Sequence, residues 1–298
     1  MNANEIIFFK VNNKRKLNEI IKKSAEYAFL SLPFTIDRMN YGFDKISISK
    51  RINNIFKGKI AEELFFTFCS EKKIPIDNSK CITPYYMTDK RDFLYDNYEF
   101  DIKNNFYWDT GNFKDFIKLP ALVPDRHSKD QWSKRNNSLF GKKPAFVFTF
   151  MKHGEVINKK RYYKFVEIIL DDNDYNLLQE KIKQYKGIPL ENEPIDMKNF
   201  LDDINIKFKQ NEIDYMELII TAYATEEHFP IFKKVGGTKF LNGAISTRID
   251  NREAPIEKLP SFLSLISTND KNLVKTNKTF NLVGVSNGNN KSIKKTDN

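Results

Sequence analysis

From Lys16 to Leu32 (KLNEIIKKSAEYAFLSL) apolar and small residues recur every three or four positions, with Leu17, Ile20, Ile21, Ser24, Ala25, Ala28 and Phe29 on one face. That spacing predicts a helix packed against a core. A second stretch, Gly58 to Cys69 (GKIAEELFFTFC), sets Ile60, Leu64 and Phe68 at i, i+4 and i+8 beside Ala61 and Phe65, and predicts a helix starting near Gly58. The period then falls to two. Lys90 to Asn105 (KRDFLYDNYEFDIKNN) reads as a β-hairpin turning at Asp96-Asn97, residues that tolerate the positive φ such turns need. With Tyr95 and Tyr98 flanking the turn, Leu94 faces Glu99, Phe93 faces Phe100 and Asp92 faces Asp101. Alternation then puts Phe93, Tyr95, Tyr98, Phe100 and Ile102 on one side, and Asp92, Leu94, Glu99, Asp101 and Lys103 on the other.

Further along, Pro144 to Lys152 (PAFVFTFMK) and Arg161 to Leu170 (RYYKFVEIIL) are rich in β-formers, and the link HGEVINKK makes them a hairpin. Asp174 to Tyr185 has helical spacing through Tyr175, Leu178 and Ile182, as does Met197 to Phe208, whereas Met216 to Ala222 fits a strand or a helix. Gly236-Gly237 marks a turn, and the tail after Val285 (SNGNNKSIKKTDN) has almost nothing to bury, which predicts disorder. Four regions result: a basic helical region over 1–57, a compact unit over 58–170, an α/β extension over 171–284 suited to recognition or dimerisation, and the tail 285–298.

Charge narrows the partners. The 298 residues carry 49 Lys and Arg against 39 Asp and Glu, a formal charge of +10. A surplus of that size favours a polyanion, although the Lys- and Asn-rich usage also fits an AT-rich coding sequence. No apolar run approaches a membrane span, and the first residues put their apolar run before their charges, the reverse of a secretory signal. Cys69 and Cys81 make no disulfide framework, and three histidines give no zinc spacing. These features predict a cytoplasmic protein that does not enter a membrane.

The hairpin carries the candidate chemistry. Carboxylates opposed across a strand pair repel each other, so Asp92 and Asp101 call for a cation, which a divalent metal supplies. An amphipathic hairpin with a solvated charged side has the same pattern, and Glu62 and Glu63 near a helix start are favoured by the helix dipole alone. The order of parts adds weight: a helix with Gly-x-x-x-Glu, an extended segment, then Asp and Asp-x-Lys on paired strands. This resembles the PD-(D/E)XK nuclease superfamily, which includes many type II restriction endonucleases. Glu62 matches the helix glutamate, Asp92 the first strand aspartate and Asp101-Ile102-Lys103 the (D/E)-x-K element, over Gly58 to Asn105. Arg91 stands where the motif's name has proline.

The resemblance implies an α/β fold, a central mixed β-sheet flanked by helices, with additional α/β elements. It implies Mg2+, with Mn2+ as the alternative, held by Asp92, Asp101 and the Ile102 carbonyl. Lys103 would orient the attacking water, and Glu62 would take a second metal or a metal-bound water. Glu99 and Glu63 are the rivals for the third acid. The activity implied is Mg2+-dependent hydrolysis of double-stranded DNA by a type II restriction endonuclease acting as a homodimer. The alternatives are a homing, repair or phage-defence nuclease, or a non-catalytic nucleic-acid-binding protein. Pro124 to Lys143 (PDRHSKDQWSKRNNSLFGKK) sets Arg126, Lys129, Lys134 and Arg135 around Trp132 and is the candidate DNA-binding segment, with a polar surface loop as the other reading.

Overall fold

The computed structural model describes residues 6–36, 42–87, 91–106, 119–158, 160–163, 165–188, 190–197, 199–209, 213–235, 239–240, 245–246 and 250–269. Strand β1 (Ile7–Val11) opens the chain, and helix α1 (Lys14–Thr35) follows, with the Asn13 side chain accepting from the Lys16 amide at 3.1 Å. The helix expected from Gly58 begins much earlier. Helix α2 spans Lys45–Glu71, and its N-cap Asp44 accepts from the Ser47 amide at 3.0 Å. Ile48, Ile52, Phe56, Ile60, Leu64 and Phe68 are all buried, so the four-residue apolar repeat runs unbroken through Gly58. Glu62 and Glu63 therefore lie well inside a helix, and the dipole does not account for them.

Strands β2 (Phe93–Tyr95) and β3 (Tyr98–Phe106) form the expected hairpin, with Phe93 opposite Phe100, Leu94 opposite Glu99 and Tyr95 opposite Tyr98. Asp96 takes φ +50° in the turn. There follow β4 (Pro120–Pro124), the single-turn helices α3 (Lys129–Trp132) and α4 (Lys134–Asn137), β5 (Lys143–Ile157), β6 (Lys160–Tyr163), β7 (Ile168–Ile169) and α5 (Asp172–Tyr185). The β5–β6 hairpin turns at Asn158 (φ +49°), so β5 absorbs most of the expected link, and the expected strand Arg161 to Leu170 splits into β6 and β7. Among the described residues of the stretch from Met197 to Phe208, no α-helix forms where one was expected. That stretch holds a 3-10 turn at Phe200–Asp202 and the strand β8 (Lys207–Phe208), after another turn at Ile195–Met197. Met197, Phe200 and Ile204 still reach the core, and isolated turns suffice to bury so few side chains. The ambiguous run at Met216 lies in a strand, β9 (Tyr215–Thr225), followed by β10 (Lys233–Val235), β11 (Lys239–Phe240), β12 (Ile245–Ser246), β13 (Asn251–Pro255) and α6 (Phe262–Asn269). Gly236-Gly237 and the tail after Val285 lie outside the described residues.

The class is α/β. The main sheet runs β1-β9-β5-β3-β2 with β6 on the end of β5, and it is mixed: β3 and β5 are parallel, the other pairs antiparallel. One sheet thus draws strands from 1–57, 58–170 and 171–284. On one face Phe93, Phe100, Val147 and Ile220 pack with Phe29, Phe56, Phe65 and Phe262 of the helices. On the other, Phe146, Phe148, Phe150 and Ile219 pack with Ala121, Val123 and Ala254 of a small antiparallel sheet, β10-β13-β4. The hairpin's apolar side meets the helical layer, where Phe93 and Phe100 stack at 4.9 Å and 10°. On its charged side Lys103 lies 5.4 Å from the Phe146 ring and Glu99 meets the segment 138–142.

Candidate functional site

The candidate acids Asp92 and Asp101 lie at the mouth of the β2–β3 hairpin. The ladder ends there: the Asp92 amide donates to the Phe100 carbonyl at 2.7 Å, and the Asp92 carboxylate accepts from the Ile102 amide. Asp92 thus takes over the role of a ladder carbonyl. The paired register covers only Phe93–Tyr95 and Tyr98–Phe100, so Asp92 sits just before it and its amide meets Phe100 in place of the expected Asp101.

From the helical side, α2 brings Lys59 and Glu62, which form a half-buried ion pair one turn apart. Burial works against the Lys59 charge, but Glu62 and, more weakly, Tyr27 and Asp92 outweigh it and hold the ammonium above the ordinary lysine range. Lys59 is thus the direct partner of Glu62, and Asp92 adds only a weak attraction to its charge. Glu63 points elsewhere and pairs with Lys23 at 2.9 Å. Lys59 carries no motif signal, and only its position three residues before Glu62 could have suggested it.

From the other side comes Lys103, whose ammonium lies 2.6 Å from Asp101 and 5.4 Å from the centre of the Phe146 ring. His127, in the turn after β4, reaches the same region. It is 8% exposed, its ring lies 5.1 Å from Phe146, and neither ring nitrogen has a hydrogen-bond partner among the described residues. Burial, helped by the Lys103 charge and opposed by Asp101, pushes its pKa down to about 3, so the imidazole is neutral. A lone histidine in a polar segment gave no sequence signal of this placement.

Glu99 is not free to act as the third acid. It is fully buried, and the segment 138–142 wraps around it. Its carboxylate accepts from the Ser138 hydroxyl at 2.8 Å and from the amides of Leu139 at 2.9 Å, Phe140 at 3.0 Å and Lys142 at 3.1 Å. Gly141, at φ +75°, lets the chain curl into this nest of amides. Burial raises the Glu99 pKa, but those donors together hold it below the ordinary carboxylate range. Arg91 closes the arrangement, donating to Glu99 at 3.3 Å and to the Asn137 carbonyl at 3.0 Å. The residue standing in place of the motif's proline is thus a buried strut.

The segment Pro124 to Lys143 is tied in the middle of its basic stretch by Trp132 and after it by the bonds of 138–142 to Glu99. Trp132 is a core residue, its ring 4.7 Å from Phe146, 5.5 Å from Phe229 and 5.0 Å from Phe232, and it cannot serve as an exposed aromatic among the cations. Asn137 is committed too, its amide donating to the Gln131 carbonyl at 2.6 Å. Arg126, Lys129, Lys134 and Arg135 are exposed and make no ion pair among the described residues, so their charge is open to an anion.

Among the described residues no group of three or more His, Cys, Asp or Glu side chains is placed to hold a metal ion. Each candidate acid has a positive or N–H partner already: Glu62 has Lys59, Asp101 has Lys103, and Asp92 has the Ile102 amide. The donor set fits Mg2+ only in the sparse form, with one or two carboxylates and a shell completed by water. No helix among the described residues is long and apolar enough to cross a membrane. No family model, curated protein or solved structure matches the chain.

Proposed function

We propose that this protein is a Mg2+-dependent endonuclease acting on double-stranded DNA, with a type II restriction endonuclease as the leading biology. The observation that carries the reading is the hairpin mouth, where the Asp92 carboxylate accepts from the amide of Ile102, the residue between Asp101 and Lys103, which pair at 2.6 Å. Asp92 and Asp101 would hold Mg2+, or Mn2+ in its place, together with the Ile102 carbonyl. A bound metal supplies an acidic water and offsets charge developing on phosphorus. Lys103, fixed by Asp101 and the Phe146 ring, would hold the scissile phosphate and orient the water. Glu62 would hold a water on the helical side, with Lys59 balancing its charge. Arg126, Lys129, Lys134 and Arg135 would bind the phosphates of the duplex. Cutting both strands of a symmetric site calls for a homodimer, and cellular DNA as substrate places the protein in the cytoplasm.

The pairing of every candidate acid supports a second reading, a nucleic-acid-binding protein whose hairpin is structural. Incubation with plasmid and phage DNA, with and without Mg2+, separates the two. Discrete fragments that appear only with the metal, and vanish in Asp101→Asn, support the nuclease. Intact DNA under Mg2+ and Mn2+, with retained binding, leaves the second.

A further inference from the structure

Two large apolar side chains adjacent in sequence stay exposed inside the basic segment. Leu139 is 44% exposed and Phe140 37% exposed, in a segment that follows Lys134 and Arg135 and leads into Lys142 and Lys143. They are not exposed through slack. Both backbone amides are spent on the buried Glu99 carboxylate, at 2.9 and 3.0 Å, so the main chain of this tip is fixed while its side chains stay outside. Lys142 braces the same tip by donating to the Asp96 carbonyl of the hairpin turn. The base of the tip is therefore rigid, and it stands on the strand that carries Asp101 and Lys103.

Resting on the nucleic-acid reading above, we propose that Leu139 and Phe140 form an apolar wedge that inserts against the bases of bound DNA, between cations that hold the backbone on either side. Three features point to a nucleic acid as the occupant. The exposed charge along the segment is mainly positive (Arg126, Lys129, Lys134, Arg135 and Lys143), with the exposed acids Asp130, Asp96 in the hairpin turn and Glu227, 4.0 Å from Lys143, set against it. An aromatic and an aliphatic side chain offered together suit a base face or an opened base step, and proteins that kink duplexes use such residues for that purpose. A pre-ordered tip also pays little entropy when it binds. Because the wedge is uncharged, it adds affinity without releasing counterions.

The test uses the full chain with Ca2+ in place of Mg2+ and a set of duplexes carrying 2-aminopurine at successive positions. Binding of the parent should raise emission at one or a few positions, reporting an unstacked base. The double variant Leu139→Ala, Phe140→Ala changes only exposed side chains and should keep the parent's circular dichroism. It should lose the emission rise and bind about tenfold more weakly, with the slope of log affinity against log salt unchanged. Lys134→Ala is the contrast and should lower that slope by about one. If the parent binds and the double variant matches it in affinity and emission, the wedge is wrong and the DNA reading stands. If the parent binds no duplex even at low salt, the DNA reading fails and takes the wedge with it.

Discussion

On the nuclease proposal, Lys103 would be oriented ahead of substrate, because Asp101 at 2.6 Å and the Phe146 ring at 5.4 Å hold its ammonium. A group set in this way contributes to the rate more than to binding. Lys103→Ala should slow cleavage by orders of magnitude and change duplex affinity by less than about threefold, since one phosphate contact among many adds little. A parallel loss of rate and affinity in quantitative binding and single-turnover assays would make Lys103 a docking residue. At Glu99 the expected effect is on stability. Glu99→Gln turns an acceptor of several N–H bonds into a group that is partly a donor and strands Arg91, at a cost of about 3–5 kcal/mol in denaturant unfolding at pH 7. The Glu99 pKa is depressed in the folded chain, so its contribution is complete above the unfolded value of about 4.3 and is lost as pH falls through the lower folded value. The gap between variant and parent should therefore narrow only in acid. Around the candidate site, the Phe93–Phe100, Leu94–Glu99 and Tyr95–Tyr98 pairs and the neighbouring Asp101 and Lys103 were legible because strand alternation fixes facing once a turn is placed, whereas Asp92 falls just outside the paired strand. The roles of Glu99, Arg91, Lys59 and His127 were not, because they depend on a segment some forty residues away or on a helix from another layer.

Element boundaries show the same division between local and distant causes. The hairpin register was readable from Asp96-Asn97 and the aromatic pairs, and the α1 face from its spacing. Gly58 misled, since glycine is costly inside a helix and reads as a boundary. Tertiary packing carries α2 through it: Phe56 and Ile60, on either side, are both fully buried. A Cβ added at Gly58 meets nothing within 4 Å. Gly58→Ala should thus raise stability by about 0.5–1 kcal/mol, read as a higher denaturant midpoint with an unchanged slope. A lower midpoint would mean that the helix needs the freedom of glycine there. β1 escaped notice because its five residues alternate too briefly to declare a strand, and its partner lies far along the chain.

Across the whole molecule, two buried histidines set the response to mild acid. His153 is fully buried in the main sheet, and burial pushes its pKa down to about 3, close to the value for His127. Both values lie below the unfolded figure of about 6.5, so beneath that pH the unfolded chain takes up protons that the folded chain refuses. Stability should fall by about 1.4 kcal/mol per pH unit for each of the two, starting below about pH 6.5. His153→Gln should remove one such increment from the slope between pH 6 and 5 in denaturant titrations. An unchanged slope would mean that His153 becomes charged within the fold. The sheet that shelters His153 also joins β1, near the start of the described residues, to β9, some 200 residues later. Lys14, just after β1, and Asp214, just before β9, are 200 residues apart and meet in an ion pair at 2.8 Å. During synthesis, Ile7–Val11 waits about 10–40 s for its partner at ordinary elongation rates of roughly 5–20 residues per second. For that interval the nascent chain presents an unpaired β-edge and a naked apolar helix face, the surfaces that chaperones bind and that drive aggregation. A chain stopped before Tyr215 should therefore stay chaperone-bound or insoluble, however complete its candidate site.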